Sequence, residues 1–289
     1  DLNETNTKGA LHRRAFVETA GSLNHPYSQR RFLVLLVIAV FFADRAIFRP
    51  QNSSYKDTAD VIKLKTRQGD VISARYELNP QASYTILFSH GNAEDIEMIE
   101  PFIWRLRDLG INVLTYDYPG YGTSGGSPSE ENGYAAIDAA YDYLVEKGVR
   151  PETIILHGRS LGGAMAVELA SRKPVGGLIM ESTFTGAFRV VTRYPILPFD
   201  KFKNLEKMNK VTCPVLVIHG TNDWTIPAYH GQRLFEAANE PKQALWIEGA
   251  GHNNVDRTNE RLYLETIKGF VDRLIGLSRL VMRYNSSDE

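Results

Sequence analysis

The chain has 289 residues, 43% of them apolar and 23% charged, enough to fill the core of one large α/β domain. Its formal net charge of −1 excludes the electrostatic footprint of a nucleic-acid binder. The lone cysteine, Cys213, excludes an internal disulfide and any multi-cysteine metal site, and in "TCPVLVIHG" it reads as a small buried hydrophobe.

In chain order, the first element departs from the globular pattern. "RRFLVLLVIAVFFADRAIF" holds twelve uninterrupted apolar residues, Phe32 to Ala43, behind Arg30 and Arg31. Such a run is short for a full span. A signal peptide would sit at the extreme N-terminus before a small-x-small site, and about 30 residues precede this run. A core helix would need a sheet face to cover, yet the strand pattern begins only near Ala59. The expectation is a membrane-anchor helix over about residues 30–48, within an N-terminal segment 1–57. From Phe32 to Phe48 its 17 residues rise about 26 Å. That makes a short span if Asp44 and Arg45 snorkel, or else an in-plane helix. Basic residues on both sides leave the orientation open. A dimerisation helix is the competing role for this run.

Residues 58–289 read as one domain. "DVIKLKT" and "VISARYEL" alternate in polarity and predict an antiparallel pair at a sheet edge. "YTILFSH", "NVLTYDY", "TIILHG", "GLIMES", "PVLVIHG" and "ALWIEGA" are nearly continuous apolar runs, as in strands buried on both faces of a parallel sheet. Helical stretches alternate with them at 95–109, 130–147, 161–172, 229–238 and 259–274. The pattern predicts a doubly wound, mostly parallel sheet of eight strands with helices on both faces. The longest interruption, about 183–212, leaves room only for a small cap.

Gly158-Arg159-Ser160-Leu161-Gly162 matches G-x-S-x-G, between the apolar run "TIILHG" and the small-residue stretch "LGGAMAVELA". A strand-to-helix turn of this kind holds a nucleophilic serine out at the sheet edge. The competing reading is a chance match in a glycine-rich turn. A serine hydroxyl needs a base, and the motif predicts an acid and then a histidine downstream. Asp223 follows the seventh predicted strand and His252 the eighth, both at carboxyl ends. Asp256 and Glu248 rival Asp223 as the acid. The oxyanion donors fall to the Leu161 N–H and, in "LFSHGNAEDI", to that of Asn92, with Ala93 as the alternative. His90, His157 and His219 each precede a glycine at a strand end and read as structural, as does Asp117. "YDYPGYGTSGGSPS" lacks the G-K-[ST] of a phosphate loop, and no spacing implies a metal or cofactor.

These residues together resemble the α/β-hydrolase superfamily over roughly residues 59–275. "SHGNAEDI", "YDYPGYGTSGGSPSEEN", "HGRSLGGAMA", "HGTNDWTIP" and "GAGHNNV" look, more narrowly, like its membrane-anchored bud-emergence type subgroup, close to the eukaryotic protein depalmitoylases of the same fold. The resemblance implies hydrolysis of acyl esters and thioesters, with the hydrophobic N-terminal segment as an anchor. Ser160, Asp223, His252 and Asn92 fall on the matching positions. The depalmitoylases carry an N-terminal cysteine cluster, whereas this chain has no cysteine before Cys213, so protein depalmitoylation does not carry over.

The expected activity is that of a serine hydrolase, metal-free and cofactor-free, with an acyl ester or thioester substrate at a lipid bilayer. An idle membrane-bound scaffold, a peptidase and an acyltransferase are the alternatives. Oligomeric state stays open.

Overall fold

The computed structural model describes residues 43–191 and 199–285. Two compact units divide the chain, Asp1–Ala46 and Ile47–Glu289. Of the first, residues 43–46 are described and are helical. The rest of the anchor helix expected over 30–48 lies outside the described residues. Among the described residues no helix is long and apolar enough to cross a membrane.

The second unit alternates strand and helix. Its elements are β1 (Ile62–Lys65), β2 (Val71–Glu77), β3 (Thr85–Ser89), α1 (Glu100–Asp108), β4 (Asn112–Tyr116), α2 (Glu130–Glu146), β5 (Ile154–Arg159), α3 (Leu161–Ala170) and β6 (Gly177–Glu181). Then come α4 (Ala187–Val191), α5 (Asn204–Lys207), β7 (Val215–Gly220), α6 (Tyr229–Ala237), β8 (Lys242–Ile247), α7 (Val255–Thr258) and α8 (Glu260–Asn285). The eight strands form one sheet in the order β1-β2-β4-β3-β5-β6-β7-β8. Only β2 runs against its neighbours; every other pairing is parallel.

Side chains alternate across each strand, so a strand covered on both faces must be apolar at every position. Ile86 and Phe88 of β3 enter one core with Ile155, Ile179, Leu216 and Ile218, covered by α1 and α8. Leu87, Leu156, Leu178, Met180, Val215 and Val217 enter the other, under α2, α3 and α6. Fully burying each such side chain contributes about 1.5–3 kcal/mol. Local signals set the helix ends: Ser129 caps α2 by accepting the Asn132 N–H at 3.1 Å, and Glu130 and Glu131 face the dipole of its first turn.

Two helices differ from expectation. The helix expected from residue 95 begins at Glu100, with Pro101 in its first turn. Asp95 is occupied elsewhere, its carboxylate accepting the Met98 N–H in a turn. The last helix does not end near Leu274 but runs to Asn285. Gly276 resembles a stop signal there, yet no proline follows, and good helix formers continue the chain.

Candidate active site

β5 is the central strand of the site and ends on a sharp turn. Ser160 adopts φ 53°, ψ −113°, a left-handed conformation that a non-glycine residue holds only when its surroundings enforce it. The Ser160 N–H donates to the Glu181 carbonyl at 2.8 Å, and its own carbonyl accepts from Thr183 Oγ1 at 2.7 Å. The flanking glycines make room for the turn. A Cβ on Gly158 would stand 2.3 Å from the Gly162 carbonyl oxygen, and one on Gly162 would stand 2.0 Å from that of Ser89. Both distances are far inside contact range, so only glycine lets β5, β3 and α3 approach this closely.

The loop after β7 and the loop after β8 bring Asp223 and His252 to this turn. His252 Nε2 lies 3.0 Å from Ser160 Oγ, and His252 Nδ1 lies 2.7 Å from Asp223 Oδ2. A carboxylate can only accept, so Nδ1 carries the proton and Nε2 is left free to accept from the serine hydroxyl. Asp223 Oδ1 accepts the Thr225 and Ile226 N–H groups at 2.9 and 2.7 Å. Burial raises the Asp223 carboxyl, but hydrogen bonds from His219 and His252 outweigh it and hold the group well below the usual carboxylate range. It therefore stays ionised beside the imidazole. Its rivals are placed otherwise: Asp256 pairs with Arg105, and Glu248 is exposed.

Leu161 opens α3, where its N–H has no intrahelical acceptor. In the loop after β3, Ala93 takes φ 62° and spends its N–H on Asn92 Oδ1 at 3.1 Å. The Asn92 N–H has no acceptor among the described residues. Of the two candidate donors in this loop, Asn92 is thus the one left open. The histidines at strand ends are buried and bonded. His90 Nε2 faces Asp117 Oδ1 at 3.3 Å, and His219 Nε2 donates to the Ile226 carbonyl at 2.8 Å. Cys213 is buried, and its thiol is pushed up to about 12 by that burial. Among the described residues no group of three or more His, Cys, Asp or Glu could hold a metal ion.

Sequence reasoning missed a charged cluster under the turn. Glu181, only 2% exposed at the end of β6, accepts from Arg159 Nε at 2.8 Å, His157 Nε2 at 3.0 Å and Tyr263 Oη at 2.6 Å. Burial alone would raise its carboxyl; the Arg159 charge and the hydrogen bonds of His157 and Tyr263 hold it at about 2. Arg159 is the residue before Ser160, and its guanidinium lies over the Phe102 ring, 4.3 Å from the centroid. A signal for this cluster was present: a glutamate closing the apolar run "GLIME" needs a buried partner.

The architecture agrees with comparison to known proteins. An alpha/beta hydrolase domain family profile matches residues 82–270. Alpha/beta hydrolase domain-containing protein 17B of Xenopus tropicalis is 42% identical over 227 residues, 76% of this chain and 77% of its own length. The human protein of the same name is 41% identical, over 77% of this chain and 78% of its own. An esterase from Pyrococcus furiosus superposes with a TM-score of 0.65 at 19% identity, covering 78% of this chain and 98% of its own. Est1E from Butyrivibrio proteoclasticus, solved with ferulic acid, superposes with a TM-score of 0.62 at 19% identity over 74% of this chain and 99% of its own, a likeness of fold. On the extent of the family match and the identity to these relatives, the chain belongs to the alpha/beta hydrolase domain family.

Proposed function

We propose that this chain is a serine hydrolase that cleaves acyl ester or thioester bonds through an acyl-enzyme on Ser160, at a membrane surface. The observation that carries the reading is the unbroken line from Asp223 Oδ2 through His252 to Ser160 Oγ, at 2.7 and 3.0 Å. Ser160 Oγ attacks the acyl carbonyl while His252 Nε2 takes its proton, and Asp223 steadies the resulting imidazolium. The Leu161 and Asn92 N–H groups receive the oxyanion. Collapse expels the alcohol or thiol, which leaves with the proton held on His252. Water then attacks the acyl-enzyme by the same route and releases the acid. No metal or cofactor enters these steps. An idle scaffold would have no need of this proton path.

The ester half of the substrate draws support from solved neighbours described as esterases. The thioester half rests on the motifs shared with the depalmitoylases, and the membrane surface rests on the apolar run Phe32 to Ala43. The test is burst-phase hydrolysis of p-nitrophenyl esters from C2 to C16. A stoichiometric burst is expected, with kcat lower by on the order of 10⁶ in Ser160→Ala. Equal, slow rates in both proteins would overturn the reading. For the membrane, the full chain is expected to float with phosphatidylcholine vesicles and to lose this in Leu36→Asp/Ile38→Asp.

A further inference from the structure

Between the helical residues 43–47 and β1 the chain looks like a polar connector, and it lies outside the matched residues 82–270. The structure gives it specific partners. Phe48 is only 3% exposed, its ring set edge-on against those of Tyr121 and Phe202. On either side of Phe48 the backbone reaches the side chain of Asn92. The Arg49 N–H donates to Asn92 Oδ1 at 2.9 Å, and Asn92 Nδ2 donates to the Ile47 carbonyl at 2.5 Å. Tyr121 Oη completes the set, donating to Asn92 Oδ1 at 2.7 Å while accepting from the Arg49 N–H at 3.0 Å. Farther along, Ser54 donates through both N–H and Oγ to the Asp95 carboxylate at 2.8 and 2.6 Å. Tyr55 Oη then donates to Asp117 Oδ2 at 2.5 Å, on the carboxylate that faces His90.

Apart from the Tyr55 bond and that of Arg49 to Tyr121, the strap's bonds reach one short loop, at Asn92 and at Asp95, three residues apart. That loop contains Ala93 at φ 62°, a conformation that a non-glycine residue keeps only when its surroundings over-determine it. The Asn92 side chain supplies that constraint, because the Oδ1 held by Arg49 and Tyr121 also accepts the Ala93 N–H. One residue back, the Asn92 N–H has no acceptor among the described residues. Resting on the serine-hydrolase reading above, we infer that the strap Ile47–Tyr55 is a working part of the active site, which it serves by holding the Asn92 side chain and so aiming the oxyanion donor. The Asn92 side chain and Tyr121 are positioning groups: they act on substrate only through the Asn92 backbone.

The test uses the full chain and three variants, Asn92→Ala, Tyr121→Phe and the double variant. Each is followed by p-nitrophenyl ester turnover, by the rate of labelling with a fluorophosphonate, and by urea unfolding. Removing an oxyanion donor outright costs on the order of 10²–10³ in kcat, and misaiming one should cost part of that. Asn92→Ala is expected to lose about 10–100-fold in kcat and in labelling rate, with KM within about threefold. Tyr121→Phe, which removes one oxygen from an otherwise intact ring, is expected to lose about 3–10-fold, and keeps the test open if Asn92→Ala fails to fold. The double variant should be no slower than Asn92→Ala, since both act through one group. Wild-type kcat in Tyr121→Phe, with only the urea midpoint lowered, would make the strap structural and overturn the inference. A wild-type chain without a Ser160-dependent burst would overturn the hydrolase reading and the inference together.

Discussion

The Nε of Arg159 donates to the Glu181 carboxylate at 2.8 Å, and the Glu181 backbone carbonyl accepts the N–H of the very next residue, Ser160, at 2.8 Å. One residue of β6 thus grips the elbow by main chain and side chain at once. Removing one partner of a buried pair leaves the other charge unpaired, at a cost of about 3–5 kcal/mol. Glu181→Ala is expected to lose that much in urea unfolding, since it strands Arg159 and His157 in the interior. A loss below about 1 kcal/mol would mean that water replaces the carboxylate.

Acid should destabilise the fold in two stages. His230 is buried with Nδ1 accepting from Thr185 Oγ1 at 3.0 Å, and burial followed by the charges of His219 and Arg233 lowers it to about 4. The unfolded chain takes up this proton near pH 6.5 and the folded chain only near 4, so the associated stability is present above 6.5 and lost as pH falls through 4. Glu181 follows the same sign, with stability present above 4.5 and lost as pH falls through about 2. Each stage amounts to roughly 3 kcal/mol. Subtracting the urea profile of His230→Gln isolates the upper stage and that of Glu181→Gln the lower. Parallel profiles for wild type and His230→Gln would refute the upper one.

Two glycines should respond in opposite directions to alanine. In Gly162→Ala the new methyl meets the Ser89 carbonyl oxygen at 2.0 Å, so backbone must move at the elbow. Stability should fall by about 3 kcal/mol or more, and the ester burst should be lost. At Gly276, in the exposed part of α8, a methyl meets nothing within 4 Å among the described residues. Gly276→Ala should raise stability by about 0.5–1 kcal/mol through helix propensity and leave the burst intact. Thermal unfolding and active-site titration of both variants check the pair.

Asp223→Asn keeps the shape of the side chain and removes its charge. An amide can still accept from Thr225 and Ile226, yet it favours the wrong tautomer of His252. Loss of kcat on the order of 10⁴ is expected, with little change in the urea midpoint. Near-wild-type turnover would assign the acid elsewhere.

The central strands, β3 to β7, were legible because both sheet faces are covered there, so each run had to be almost wholly apolar. The elbow was legible because its glycines, its strand and its helix are contiguous in the chain. The start of α1 was not. Ile96 and Ile99 are buried in turns and spaced like helix residues, so burial there imitated periodicity. Spacing also hides pairs brought together only by the sheet, such as Arg159 with Glu181. The same holds for the strap, where Asn92 meets Ile47 and Arg49 across more than forty residues that carry no matching pattern.

Register links these observations. Ser89 of β3 lies opposite Gly158 of β5, and Arg159 opposite Glu181 of β6. A slip of one residue in the β5–β6 ladder would turn Arg159 away from its partner. The spacing of Ser89, Ser160 and Glu181 is therefore inherited from main-chain hydrogen bonds that hold neighbouring strands about 4.8 Å apart, rather than from how well the core side chains interlock. Trimming a core methyl, as in Ile179→Val or Ile218→Val, should then change how many molecules are native and leave the turnover of each native molecule the same. In this protein, wear in the core should show as lost yield and not as blunted chemistry.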